Sequence, residues 1–266
     1  MKRILLTAAA IAVGMMAQAE PLTIYTGGKG GGYDAKAREI AQRLAQRGFD
    51  VDIENRNGSD DITLQSCQNN VSMWISQLDA IYTREMKDGC YLPVIADYGS
   101  EVAAIFFWPS SRLDELSDLD DSHTVFVDKV GSGSELTWRT MVSIEQEHGR
   151  GDEWSAASIM TGDLRRATAL ANRGKLHAVM LVRKPNSKDF ERLLDAGWEL
   201  GELYDKDIND LKYGTKSLYE GVKVNLTAGG KAHRDYGYIV RSFIGTTETV
   251  ELEYSDLFDA MLGATE

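Results

Sequence analysis

Twice in this chain a β-type run breaks into a cluster of glycines and resumes as a helix. The first instance is Leu22–Thr26, then Gly27-Gly28-Lys29-Gly30-Gly31-Gly32, then Tyr33, Ala37, Ile40, Ala41 and Leu44 at helical spacing. The second is Thr124–Val127, then Gly131-Ser132-Gly133-Ser134, then Leu136, Thr140 and Ile144. Each instance continues on the same plan. After the first, Gly48 ends the helix, Val51–Ile53 reads as a strand, and Asn57-Gly58-Ser59 turns the chain. Ser59 or Asp60 can then cap a helix carrying Ile62 and Leu64, and Val71–Ser76 is a third strand. After the second, a short strand lies within Trp154–Met160, Thr161-Gly162-Asp163 caps a helix with Leu164, Ala167 and Ala171, Gly174 stops it, and Leu176–Val182 is a strand. A βαβαβ order with right-handed crossovers produces a parallel sheet. Two such units predict two similar α/β lobes rather than one long sheet.

The apolar run Ile105–Trp108 is suited to cross from the first lobe to the second, with a return near Trp198–Tyr204. The rest, including Val222–Leu226 and Tyr238–Phe243, is expected to rejoin the first lobe, and Tyr254–Leu262 reads as a helix. Residues 20–103 and 206–266 are thus assigned to lobe 1 and residues 104–205 to lobe 2. Residues 1–19 have the pattern of a cleaved export signal: Lys2 and Arg3, an apolar run from Ile4 to Met16, and Ala17-Gln18-Ala19. That run is shorter than the roughly 20 residues a membrane span needs. The expected location is the periplasm.

Compartment matters for Cys67 and Cys90, the only two cysteines. In an exported protein they can pair, and closing that loop would stabilise the fold by about 3 kcal/mol; two unpaired buried thiols are the alternative. Neither belongs to a CxxC and no histidine is near, which argues against a redox or zinc role. A formal charge of −12 disfavours nucleic acid and anionic lipid as partners.

A glycine turn between a strand and a helix can aim several backbone N–H groups, at the positive end of the helix dipole, toward an anion. Ligands of open α/β sheets gather beyond the carboxyl ends of the strands. Gly28, Lys29, Gly30, Gly31, Gly32 and Tyr33 from one lobe, and Gly131, Ser132, Gly133, Ser134 and Glu135 from the other, are therefore the first candidates for a ligand cleft. Gln77 and Asp79 follow the third strand, and Ser59 sits in the next turn of the same lobe. Tyr33, Trp74, Tyr98 and Trp138 could wall the site, and Arg56 and Arg183 could meet an anion. Catalytic patterns are sparse. The glycine run falls short of a dinucleotide fingerprint, and no P-loop or GxSxG elbow occurs. The four histidines lack metal-ligand spacing, and Asp118–Asp121 lacks the glycine and glutamate of an EF-hand loop. No cofactor, no metal and no catalysed reaction are expected.

Read together, Tyr25–Tyr33, Asn57-Gly58-Ser59, Ile75-Ser76-Gln77-Leu78-Asp79-Ala80, Val130–Glu135 and Leu176–Val182 resemble, in order and spacing, the motifs of the TAXI solute receptors, the binding proteins of a class of tripartite (TRAP) transporters. His177 stands where that family usually has an acidic residue, the second turn is shorter, and the chain after Tyr219 diverges. The resemblance implies a type II periplasmic-binding fold, with hinge closure around a small organic anion or amino acid and delivery to membrane permease subunits. A carboxylate-bearing ligand is the first expectation. A sensor or interaction module of the envelope, without transport, is the alternative.

Overall fold

The computed structural model describes residues 21–266, so the expected export signal lies outside the described residues. The first unit runs β1 (Leu22–Thr26), α1 (Gly32–Gln46), β2 (Val51–Asn55), α2 (Ser59–Gln68), β3 (Ser72–Gln77) and α3 (Leu78–Asp88). All five residues of β1 and all six of β3 are buried. That is why neither shows an alternating pattern: both faces of a parallel sheet are covered. Ala37, Ile40 and Leu44 form the buried stripe of α1, as their spacing requires. α3 stops at Gly89, whose left-handed φ of 63° suits glycine.

Strand β4 (Val94–Phe107) is the longest surprise of this half, since its crossing run begins well before Ile105. The second unit follows as β5 (Thr124–Phe126), α4 (Gly133–His148), β6 (Ser158–Met160), α5 (Ala167–Ala171) and β7 (Ala178–Arg183). Trp154 lies in a short 3-10 turn before β6, not in the strand. Next come α6 (Lys188–Asp195), β8 (Glu199–Gly201), α7 (Lys206–Asp210) and a small hairpin of β9 (Lys212–Tyr213) and β10 (Lys216–Ser217). The chain ends with β11 (Glu220–Ala228), β12 (Lys231–Thr246), α8 (Glu248–Glu253) and α9 (Ser255–Thr265). Among the described residues, no helix is long and apolar enough to cross a membrane.

The strand order is β2-β1-β3-β12-β4-β7-β5-β6. It reads the same way from either end: a parallel trio, then one antiparallel long strand. β1 pairs in parallel with β2 and β3, and β5 in parallel with β6 and β7. β12 lies antiparallel to β3, and β4 antiparallel to β7. The two halves therefore do repeat a plan, but they share one hydrogen-bonded sheet, because β4 and β12 run unbroken from one half to the other and pair along the way. Their pairing slips in register between Ser242 and Phe243, which leaves Tyr98 without a cross-strand partner. A bulge of this kind bends a strand and re-aims a side chain.

The path after β8 differs from expectation. Of residues 206–240, assigned from sequence to the first lobe, β11 pairs with the early part of β12, and Val224, Leu226 and Ala228 share a core with Phe106, Val179, Phe190 and Trp198, while Ile208, Leu218 and Tyr219 share one with residues of both halves. The physical reason is that the antiparallel β11–β12 hairpin buries its apolar face against α6 and the central strands. We therefore place both crossings inside long strands, near Gly99 in β4 and Ser242 in β12.

A third contact joins the halves through side chains. α2 and α3 pack on α4, where Ile62, Leu78 and Ile81 share a core with Trp138, Met141 and Trp154. The Trp138 and Trp154 rings meet edge to face at 5.6 Å, and burying such side chains supplies much of the apolar stabilisation of a domain. Cys67, at the end of α2, is disulfide-bonded to Cys90, just after α3, with the Cα atoms 6.0 Å apart.

Candidate functional site

A cavity of 1020 Å³ opens at the carboxyl ends of β1 and β7. Its first-lobe wall is the turn Gly27–Gly32 with Tyr33; its floor is Tyr98, Gly99, Ser100 and Glu101 of β4 with Ser242 of β12. Arg183, which ends β7, and Lys184, Asn186 and Ser187, which follow it, complete it. Another cavity, 790 Å³, lies beside Leu22, Val71 and Leu257. It sits at the amino ends of β1 and β3, the wrong end of an open α/β sheet for a ligand.

The turn is built around Asp34, a residue that sequence reading passed over. Its carboxylate accepts from Gly30 N–H at 2.9 Å, from Asn55 Nδ2 at 2.8 Å and from Arg38 Nη2 at 3.0 Å. The Arg38 bonds, then Asn55 and the Gly30 amide, hold this carboxyl well below the usual carboxylate range. Gly31 N–H closes the turn onto Gly28 C=O at 3.0 Å. Gly28, Lys29, Gly32 and Tyr33 keep N–H groups with no acceptor among the described residues, the state expected of a helix start facing a ligand space. A Cβ at Gly32 would stand 2.8 Å from the Tyr98 hydroxyl, so a larger residue there would displace that ring.

Tyr33 and Tyr98 meet edge to face with centroids 5.0 Å apart, and the Tyr33 hydroxyl hydrogen-bonds Ser242 Oγ at 2.6 Å. Burial pushes both phenols up, and the nearby Glu101 charge adds to it at each. Glu101 itself is half-buried and forms no ion pair among the described residues. Desolvation pushes its carboxyl up, offset in part by the charges of Arg183 and Lys184 and by the Gln77 amide. Arg183 is committed elsewhere. It pairs with Asp128, and its Nε donates to Asp189 at 2.9 Å. Lys29 and Lys184 are the cavity cations without a carboxylate partner among the described residues.

The second glycine turn is not brought to this cavity, and that corrects the expectation of amides converging from both lobes. Gly131 N–H is taken by Glu135 Oε2 at 3.1 Å, Ser132 N–H by Lys129 C=O at 3.0 Å, and Glu135 N–H by Ser132 Oγ at 3.2 Å. The turn caps its own helix instead. Ser134 is buried, its hydroxyl accepting from Val182 N–H at 2.9 Å, and Glu135 pairs with Arg139 at 2.5 Å. Gly131 packs on Gly58 and Gly133 on the Gln77 side chain, so tightly that a Cβ at Gly58 would fall 1.9 Å from Gly131 O.

Ser59, Gln77 and Asp79 are likewise buried beneath that contact rather than open to the cavity. Asp79 accepts from Thr137 Oγ1 at 2.7 Å and Tyr219 OH at 2.9 Å, knotting α3 to α4 and to the segment before β11. Trp74 and Trp138 are core residues, and Arg56 stacks on the Tyr25 ring. What sequence reading missed at the cavity is Glu101, Lys184, Asn186, Ser187 and Ser242. Their only signal was position: Glu101 and Ser242 lie in strands where the chain changes lobes, and Lys184, Asn186 and Ser187 follow the end of a strand.

No protein-family profile matches the chain, and no curated protein matches it by sequence. Solved structures do. The periplasmic aliphatic sulphonate binding protein SsuA of Escherichia coli superposes with a TM-score of 0.51 at 14% identity, covering 93% of this chain and 69% of that one. A protein from Bordetella bronchiseptica RB50 gives 0.51 at 13% identity, over 92% and 70%. An ABC-transporter periplasmic substrate-binding protein from Coxiella burnetii gives 0.43 at 11%, over 92% and 91%. With its mirrored strand order and two crossing strands, the chain has the two-lobed type II periplasmic-binding fold.

Proposed function

We propose that this chain is an extracytoplasmic solute-binding protein that captures an amino acid in the cavity, hands it to a membrane permease, and catalyses no reaction. The carrying observation is the 1020 Å³ cavity lined jointly by the first glycine turn, the crossing strands and the Arg183–Ser187 segment. Unpaired N–H groups at Gly28, Lys29, Gly32 and Tyr33, with Lys29 and Lys184, suit a carboxylate. Glu101, with no cation of its own, suits an α-ammonium. That pair of opposite charges favours an amino acid over a plain organic anion. Tyr33, Tyr98 and Ser242 would shape the side-chain end. The charged start, apolar run and Ala-Gln-Ala of residues 2–19 support export to the periplasm. The likeness of the motifs to TAXI receptors supports a permease of the tripartite kind as the receiving partner.

A thermal-shift screen of amino acids and dicarboxylates, followed by calorimetry on the hits, tests this, since a ligand that binds only the folded protein raises its apparent stability. An amino acid should bind, and Glu101→Gln should weaken it by about tenfold or more. Acidification should weaken wild-type binding as Glu101, whose carboxyl is raised, takes up a proton. A screen with no stabilising solute, or a Glu101→Gln variant with unchanged amino-acid affinity, would overturn the reading.

A further inference from the structure

At the far end of α4 from the cavity, three carboxylates meet without a counter-charge. One oxygen each from Glu145, Asp152 and Asp205 lies within 4.8 Å of the others. Glu145 is fully buried, and only one of its oxygens is served, accepting from Gly151 N–H at 2.8 Å and Asp152 N–H at 2.9 Å. Its other oxygen, Oε2, is buried with no partner. Asp205 is buried too; Oδ1 caps α7 by accepting from Asp207 and Ile208 N–H, and Oδ2 receives one long bond, 3.3 Å, from Trp154 Nε1. No lysine, arginine or histidine forms an ion pair with any of the three among the described residues.

A buried carboxylate oxygen with neither donor nor cation is costly, and two further carboxylates beside it raise that cost. We infer that Glu145, Asp152 and Asp205 form a calcium-binding site. The donor set is oxygen only, with no nitrogen or sulfur, which selects a hard cation. Calcium–oxygen bonds of about 2.4 Å let a single ion touch carboxylate oxygens up to about 4.8 Å apart. Calcium tolerates the irregular geometry of a helix end, a loop and a helix cap better than magnesium does. A 350 Å³ hollow lined by Asp120, Asp121, Asp152 and Glu153 reaches the cluster at Asp152, and its acidity draws cations in.

The site ties the end of α4, the Gly149–Asp152 loop and the start of α7 into one body. None of its three carboxylates lines the 1020 Å³ cavity, so it acts on the second lobe rather than on the solute. The test uses chelator-stripped full chain and calcium chloride, read by calorimetry and thermal unfolding, with no solute added. A dissociation constant in or below the range of extracellular calcium modules, about 10⁻⁴ to 10⁻³ M, and a rise in melting temperature are expected. Asp152→Asn, on an exposed loop position that folding tolerates, should weaken calcium by about tenfold or more, and Glu145→Gln should abolish the melting shift. Magnesium chloride should bind more weakly than calcium. No calcium heat and no melting shift at about 10 mM, or an Asp152→Asn protein that binds calcium as wild type does, would overturn the site.

Discussion

Asp34 shows how much one side chain outside every motif can do. It holds the first glycine turn by three kinds of donor, and it does so as a carboxylate. A folded-state carboxyl held below the unfolded value of about 3.9 contributes stability in full above that pH and loses it as pH falls toward the folded value. Asp34→Asn should therefore lower the urea midpoint at about pH 7, and the gap from wild type should close as the pH drops below about 4. A gap that stayed constant across that range would mean that the charge is not what holds the turn. At this scale the sequence was legible only in part. Gly28–Tyr33 and Tyr98 were identifiable because glycine runs and strand ends have few uses. Glu101 and Ser242 were not, because their meaning depends on two strands distant in sequence lying side by side.

At the scale of elements, the same signal led to opposite outcomes. Both glycine turns were read as presenting free amides, yet one faces a cavity and the other caps its own helix. The difference is local chemistry. Ser132 caps the helix by accepting from Glu135 N–H, and the Glu135 carboxylate takes the Gly131 N–H. The smallness of those glycines serves packing instead. Gly58→Ala should push its Cβ into Gly131 O and cost about 1–3 kcal/mol in urea unfolding, the range of overpacked sites. Gly28→Ala, which meets nothing within 4 Å, should stay within about 0.5 kcal/mol of wild type. Equal stabilities for the two variants would show that the turns do not hold each other as described. The strand–helix alternation was readable for β1–β3 and β5–β7, whose strands are short and bounded by turn residues, but not for β4, whose exposed first half carries no apolar run. The neighbours of the β11–β12 hairpin were not readable, because antiparallel pairing leaves no trace in periodicity about which strand it joins.

For the whole molecule, the disulfide acts on the ensemble that folding leaves behind. Cys67 and Cys90 are 23 residues apart, so their bond removes loop freedom from the unfolded chain worth about 3 kcal/mol. A Cys67→Ser, Cys90→Ser double variant should melt about 6–12 °C lower, given the 2–4 °C per kcal/mol typical of chains this size. An unchanged melting temperature would place the stabilisation elsewhere. The fold class was legible at this scale because two copies of one βαβαβ plan leave few architectures open. Its joint was not, since only the length of β4 and β12 reveals that the halves share a sheet. That joint has a mechanical consequence. Two covalent spans, paired side by side with Glu101 opposite Val240, Ser100 opposite Arg241 and Gly99 opposite Ser242, suppress the wandering that a single tether would allow. Tyr98, left unpaired by the register slip, sits where these spans cross, so a molecule that touches that ring touches the joint itself.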